Sequence, residues 1–189
     1  MTLILTAGPA EEPVTLAEAK AFLRLDGTEE DALVTALVTA ARATLEAETR
    51  RAFVTQSWRL TLDRWPGREI ALPLAPVESI DAITVQVEGG TEAPDASSYV
   101  ADLAHEPPRL VVKRGVRMPT PEPDAAGIAI DFTAGHGGAA EVPEPLRQAV
   151  LMLVAHWFET RSPVGFDVSA TEIPMMVAAL LAPYRRMRL

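Results

Sequence analysis

The chain contains no cysteine, which excludes disulfides, thiolate metal sites and a cysteine nucleophile together and leaves the redox compartment open. Aromatic residues are scarce at 5%, so any core must be mostly aliphatic. No apolar run reaches the about 18 to 20 residues needed to cross a bilayer, because Arg147, Gln148, His156 and Glu159 interrupt the best candidate; the expectation is a chain without membrane association. The opening MTLILTAGPAEEP has neither a basic leader nor an adequate apolar stretch, so synthesis and residence in the cytosol are expected. Positive charge is in deficit, with 17 Lys and Arg against 26 Asp and Glu and a formal net charge of -9. Gripping nucleic acid requires clustered cations to neutralise phosphates, so tight DNA binding is disfavoured. Also missing are a phosphate loop, a dinucleotide fingerprint, a GxSxG elbow and an HExxH metal pair.

What remains is 189 residues, 48% of them apolar, enough for one well-buried core or one core carrying an inserted sub-domain. Thr15 with Glu18 three positions on forms a capping box at the start of a short amphipathic helix running to about residue 25. Leu16, Ala19, Phe22 and Leu23 share one side of it, and Asp26-Gly27 supplies the stop. Thr28 and the carboxylates of Glu29, Glu30 and Asp31 favour a second start, giving a long helix over about residues 29–52. Its expected apolar seam is Leu33, Leu37, Val38, Ala41 and Leu45, with Arg50 and Arg51 placed at the negative end of the dipole.

From Thr55 the apolar period changes to two. Trp58, Leu60 and Leu62 alternate with polar residues, and further alternations occur at Ile70, Leu72 and Leu74, at Ile83, Val85 and Val87, around Leu110 and Val112, and at Ile128, Ile130 and Phe132. Five short strands are expected. Gly89-Gly90, Pro107-Pro108 and residues 118–123 mark turns between them, and the lack of intervening helical patterns makes the sheet antiparallel. The helical period returns after Gly135-His136-Gly137-Gly138, with Pro143 and Pro145 suited to a first turn. In the helix over residues 143–161, Leu146, Val150, Leu153 and Trp157 share one face. Leu151 and Phe158 lie on a second side, which implies a second packing partner: a helix of the same chain or a neighbouring subunit. They are the candidate subunit-interface residues. Pro174 opens a last short helix carrying Val177, Leu180 and Leu181, and Pro183 ends it.

Candidate chemistry is thin. The glycine-rich loop with His136 has the composition of a mobile catalytic loop, but a strand-to-helix turn needs the same glycines. His156 and Glu159 offer two metal ligands at i, i+3 spacing where zinc needs at least three protein groups. Asp124, Asp131 and Glu141 read as solvated surface charges, because nothing in the sequence brings them together or raises a pKa. No catalytic, cofactor-binding or metal-binding residue is assigned, and no cofactor is expected. The tail, by contrast, combines Tyr184, Met187 and Leu189 with Arg185, Arg186 and Arg188, residue types of which Tyr, Met and Arg are enriched in interfaces. It is too short to fold alone and reads as a docking segment.

The phrases PVTLAEAKAFLRL, QSWRLTLDRWP, LPLAPVESIDAITV, IDFTAGHGG and VPEPLRQAVLMLVAHWFETR, in that order and followed by LLAPYRRMRL, resemble the head-tail connector, or adaptor, proteins of tailed phages and of phage-derived gene transfer agents. The resemblance covers nearly the whole chain; His136 departs from it, standing where an aromatic residue is expected. It implies an α+β fold in which a helical bundle, residues 1–54 and 139–183, carries an inserted small antiparallel β sub-domain, residues 55–138, and an extended carboxyl-terminal tail, residues 184–189. It also implies a homo-oligomeric ring, usually twelvefold, beneath the portal protein of a virion or phage-like particle assembled in the bacterial cytoplasm. Such a ring extends the DNA channel, lets DNA pass without specific binding, and joins the capsid to a stopper or other neck and tail protein. By the same resemblance Tyr184, Arg185, Arg186, Met187, Arg188 and Leu189 form a portal-docking tail, and the protein is not an enzyme. Readings of other kinds are another neck or tail-completion protein, a small hydrolase using His136, and a DNA-packaging accessory module.

Overall fold

The computed structural model describes residues 1–160 and 173–185. The chain divides into two compact units: Met1–Ala10 with Thr55–His136, and Glu11–Val54 with the described residues from Gly137 onward.

The first unit is built from strands β1 (Thr2–Ala7), β2 (Gln56–Leu62), β3 (Glu69–Ala71), β4 (Val77–Val87), β5 (Gly90–Glu92), β6 (Tyr99–Asp102), β7 (Arg109–Val112) and β8 (Ile128–Ala134). They form a five-stranded sheet in the order β1-β2-β8-β4-β5 and a three-stranded sheet in the order β3-β7-β6. Every pairing is antiparallel. Along β8 the residues alternate between fully and partly buried, as a period of two requires. Ile128, Ile130 and Phe132 are fully enclosed together with Leu60 from β2. Ile70, Leu110 and Leu72 make the buried side of the smaller sheet. Central placement of β8 follows from its unbroken alternation, whereas β4 carries two register shifts, between Val77 and Ser79 and between Ile80 and Ala82.

Three strands were not expected from the sequence. Residues 1–7, assigned to the helical part on sequence grounds, instead pair with β2, Leu3 opposite Leu60 and Leu5 opposite Trp58. The TLILTA segment lacks the polar-apolar alternation that marks a strand locally, and its backbone partners lie fifty or more residues away. β5 and β6 are short and mostly exposed, so they carry no buried apolar period.

The second unit contains helices α1 (Leu16–Leu23), α2 (Asp31–Thr49), α3 (Glu144–Glu159) and α4 (Met175–Leu181). α2 packs on α3, α3 on α4, and α1 on both α2 and α3. The capping box is present: the Thr15 hydroxyl accepts from the Glu18 amide at 3.2 Å, and Glu18 Oε2 accepts from the Thr15 amide at 2.8 Å. α1 ends earlier than Gly27. Arg24 takes the left-handed conformation at φ 58°, and the Leu25 amide closes back on the Lys20 carbonyl at 3.0 Å. Arg50 does the same after α2, at φ 57°.

The core joins Val34, Val38, Ala41 and Leu45 of α2 to Leu146, Ala149, Val150 and Leu153 of α3, with Val177 and Leu181 of α4 beside them. Each fully enclosed leucine contributes about 1.5–3 kcal/mol relative to exposure. The α2 seam differs from expectation: Val34 is buried while Leu33 stays exposed and Leu37 is half-buried. Phe22 of α1 is exposed as well. On α2 the neighbouring Val34, one position on, takes the buried place with a smaller side chain, and on α1 the buried member of the expected face is Ala19. The seam of α2 also buries Arg42 and Glu46. Arg42 Nη1 donates to Glu46 Oε2 at 2.7 Å and its Nε donates to Glu12 Oε2 at 2.7 Å, while Glu46 Oε1 accepts the Phe53 amide at 2.7 Å. These charges are thereby paired, as burial demands.

Candidate functional site

The glycine loop lies where the chain passes from the β unit to the helical unit. Gly135 and Gly137 have φ of 148° and 113°, a region L side chains rarely adopt. A Cβ on Gly138 would stand 3.0 Å from both Glu11 Oε1 and Glu141 Oε2, and Glu11 Oε1 accepts the Ala139 amide at 2.8 Å. Gly135 and Gly137 therefore serve backbone geometry, while at Gly138 an added Cβ would meet only the movable ends of two glutamate side chains. His136 within the loop is half-buried.

The carboxylates considered from sequence are not gathered into an acid-base pair. Asp131 accepts two hydrogen bonds from Arg59, at 2.7 and 2.9 Å, across the β2–β8 pairing, and these hold the Arg59 guanidinium above its ordinary pKa. Asp124 and Glu141 are exposed. His156 uses its carbonyl to cap Thr160 and is half-buried on α3. Among the described residues no group of three His, Cys, Asp or Glu is placed to hold a metal ion, and no helix is long and apolar enough to cross a membrane.

The start of the tail is geometrically defined. α4 runs into a 3-10 turn at Ala182–Tyr184, so Pro183 sits inside a turn and does not end the helix abruptly. The Arg185 amide donates to the Leu181 carbonyl at 3.0 Å. Arg51, just past α2, donates from Nε to the Tyr184 carbonyl at 2.9 Å, and Arg185 Nη2 lies 2.6 Å from Glu48 Oε1. Tyr184 packs half-buried against the helical core. Residues 184 and 185 are thus clipped to the carboxyl end of α2, and the remaining positions of the proposed tail, Arg186, Met187, Arg188 and Leu189, lie outside the described residues. Sequence reasoning placed Arg50 and Arg51 only as dipole partners. The clip joins positions 133 residues apart, and no local pattern announces it.

Leu151 and Phe158 are half-buried, and both pack against the core of their own helical unit. The second apolar side of α3 therefore has partners within the chain while each residue keeps part of its surface open.

Against known proteins, residues 12–187 match the family model described as head completion protein. Among solved structures, one similar chain comes from the neck of an empty GTA particle computed with C6 symmetry. It is 31% identical with a TM-score of 0.82, over 100% of this chain and 97% of that chain. Another belongs to the virion of a native gene transfer agent (GTA) particle, at 28% identity and TM-score 0.81 with the same coverage. A third is from the neck of a native GTA particle computed with C12 symmetry, at 30% identity and TM-score 0.76, again over 100% and 97%. No curated protein matches. With the family pattern running across both units and nearly the whole length, this chain belongs to the head completion protein family.

Proposed function

We propose that the protein is a structural subunit of the neck of a phage or gene transfer agent particle, forming a homo-oligomeric ring beneath the portal. The ring extends the DNA channel and joins the capsid to the stopper and tail. One observation carries this reading: similarity to a chain of a GTA neck spans 100% of this protein and 97% of that one, so the likeness concerns a whole subunit rather than a shared module. A ring of twelve copies is compatible with both the C6 and the C12 symmetry of those necks, since a twelvefold axis contains the sixfold one.

In this reading the role is assembly and passage, without catalysis. β1 at Thr2–Ala7 counts with the insertion at 55–138, while the helices before and after form the bundle and the tail at 184–189, clipped to α2 where it begins, reaches the portal. The anchoring of Tyr184 and Arg185 on α2 supports a tail that leaves the body from a set point. The open parts of Leu151 and Phe158 are candidates for the subunit interface. A net charge of -9 suits a channel through which DNA slides, because a lining with many phosphate contacts would retain it.

Reconstruction of particle necks tests the proposal. Density fitted by this chain next to the portal, and DNA-filled heads without tails when the chain is deleted, are the expected results. Tailed particles with an unchanged neck after deletion would overturn it.

A further inference from the structure

The cations of the β unit are concentrated in two loops. Residues 1–10 and 55–136 hold seven Lys and Arg and twelve Asp and Glu. Five of those seven cations, Arg64, Arg68, Lys113, Arg114 and Arg117, occupy two adjoining loops. The structure brings the loops together: the Val112 amide donates to the Arg68 carbonyl at 2.8 Å, and the Trp65 indole donates to the Pro119 carbonyl at 2.8 Å. Arg68 spends its guanidinium on the Val112 carbonyl at 3.2 and 3.0 Å. All five residues are exposed, and among the described residues none forms an ion pair; the other two cations, Arg59 and Arg109, do. Asp95 lies near Lys113, but its carboxylate accepts the Ser97 amide at 2.7 Å.

The same unit carries a complementary surface. Glu88 lies in the turn of the β4–β5 hairpin and Glu92 ends β5, and Glu122 is tied to β4 by its amide, which donates to the Gln86 carbonyl at 2.9 Å. These carboxylates are exposed and form no ion pair among the described residues.

We propose that the basic loops at residues 64–68 and 113–117 dock on the acidic β4–β5 surface of a second copy of this chain, a head-to-tail contact that rests on the ring reading above. A twofold contact through the basic loops would set like charges against each other, whereas a cyclic ring joins two different patches and profits from opposite sign. Two further observations favour a protein over DNA as the occupant. Val116 is exposed and Trp65 half-buried among the arginines, a mixture typical of protein interface centres. The copy as a whole, at -9, repels a duplex.

The test is a charge swap in particle-producing cells, with the chain quantified per purified particle. Arg114→Glu with Arg117→Glu, and separately Glu88→Lys with Glu92→Lys, are expected to reduce incorporation at least about tenfold, and the four changes combined to recover it to within about twofold. All four side chains are exposed and without ion-pair partners among the described residues, so melting of each purified variant is expected to match the native chain. Native-level incorporation of either reversal, or no recovery in the combination, overturns the proposal. Duplex DNA binding that the arginine reversal abolishes, with incorporation unchanged, assigns the patch to DNA and overturns it too. The neck reading is checked separately on the unmutated chain: its absence from purified particles defeats that reading and this one together, while its presence with failed swaps defeats only the contact proposed here.

Discussion

Single side chains set the boundaries of the helices. Thr15 and Glu18 make a cap recognisable from four residues, and the folded chain adds a long-range partner, since Arg147 Nη2 donates to Glu18 Oε1 at 2.5 Å. The Thr15 amide foremost, then the Thr15 hydroxyl and Arg147, hold the Glu18 carboxyl below its ordinary value of 4.5. A lowered folded-state pKa stabilises the fold above the unfolded value, and this contribution is lost as pH falls through the lowered one. Thermal melts from neutral pH to below 4.5 are therefore expected to show declining stability, with a shallower decline in Glu18→Gln. Thr15→Ala is expected to cost about 1 kcal/mol at neutral pH. Not legible were the left-handed caps at Arg24 and Arg50. Glycine is the usual occupant, and arginine there costs about 1–2 kcal/mol, offset by closing hydrogen bonds that only the folded chain supplies.

At the level of elements, period was a good guide to type and a poorer one to facing. The β8 alternation and the α3 face through Leu146, Val150 and Leu153 stand as the sequence implied. In α2 two apolar stripes one residue apart compete, and packing into the helical core selects Val34 over Leu33. For α3 the spacing of Leu151 and Phe158 implied a second partner without naming it; they pack on their own unit and remain partly open. Phe158→Asp is expected to destabilise the protein by about 1–3 kcal/mol and to reduce ring formation, read by melts and by the mass of assembled rings. No change in either would remove Phe158 from the proposed interface.

For the whole molecule, the decisive property is what the surface presents to neighbours. A chain truncated after Pro183 loses the Arg51–Tyr184 and Glu48–Arg185 clip but keeps the core residues through Leu181. It is expected to fold and form rings while failing to cosediment with portal rings; native cosedimentation would dismiss the docking role of the tail.

Composition and periodicity were sufficient for the class of fold, because helix and strand periods and turn residues are local properties that persist whatever the chain packs against. The absence of cysteine and the scarcity of aromatics likewise settled in advance that aliphatic packing would hold the core. Tertiary structure alone decided the pairing of residues 1–7 with β2, the Arg42–Glu12 ion pair, the clip at Tyr184 and the gathering of five cations from two loops. Each joins groups far apart in sequence, and such a contact forms only when the rest of the fold has already met the entropic cost of bringing its ends together.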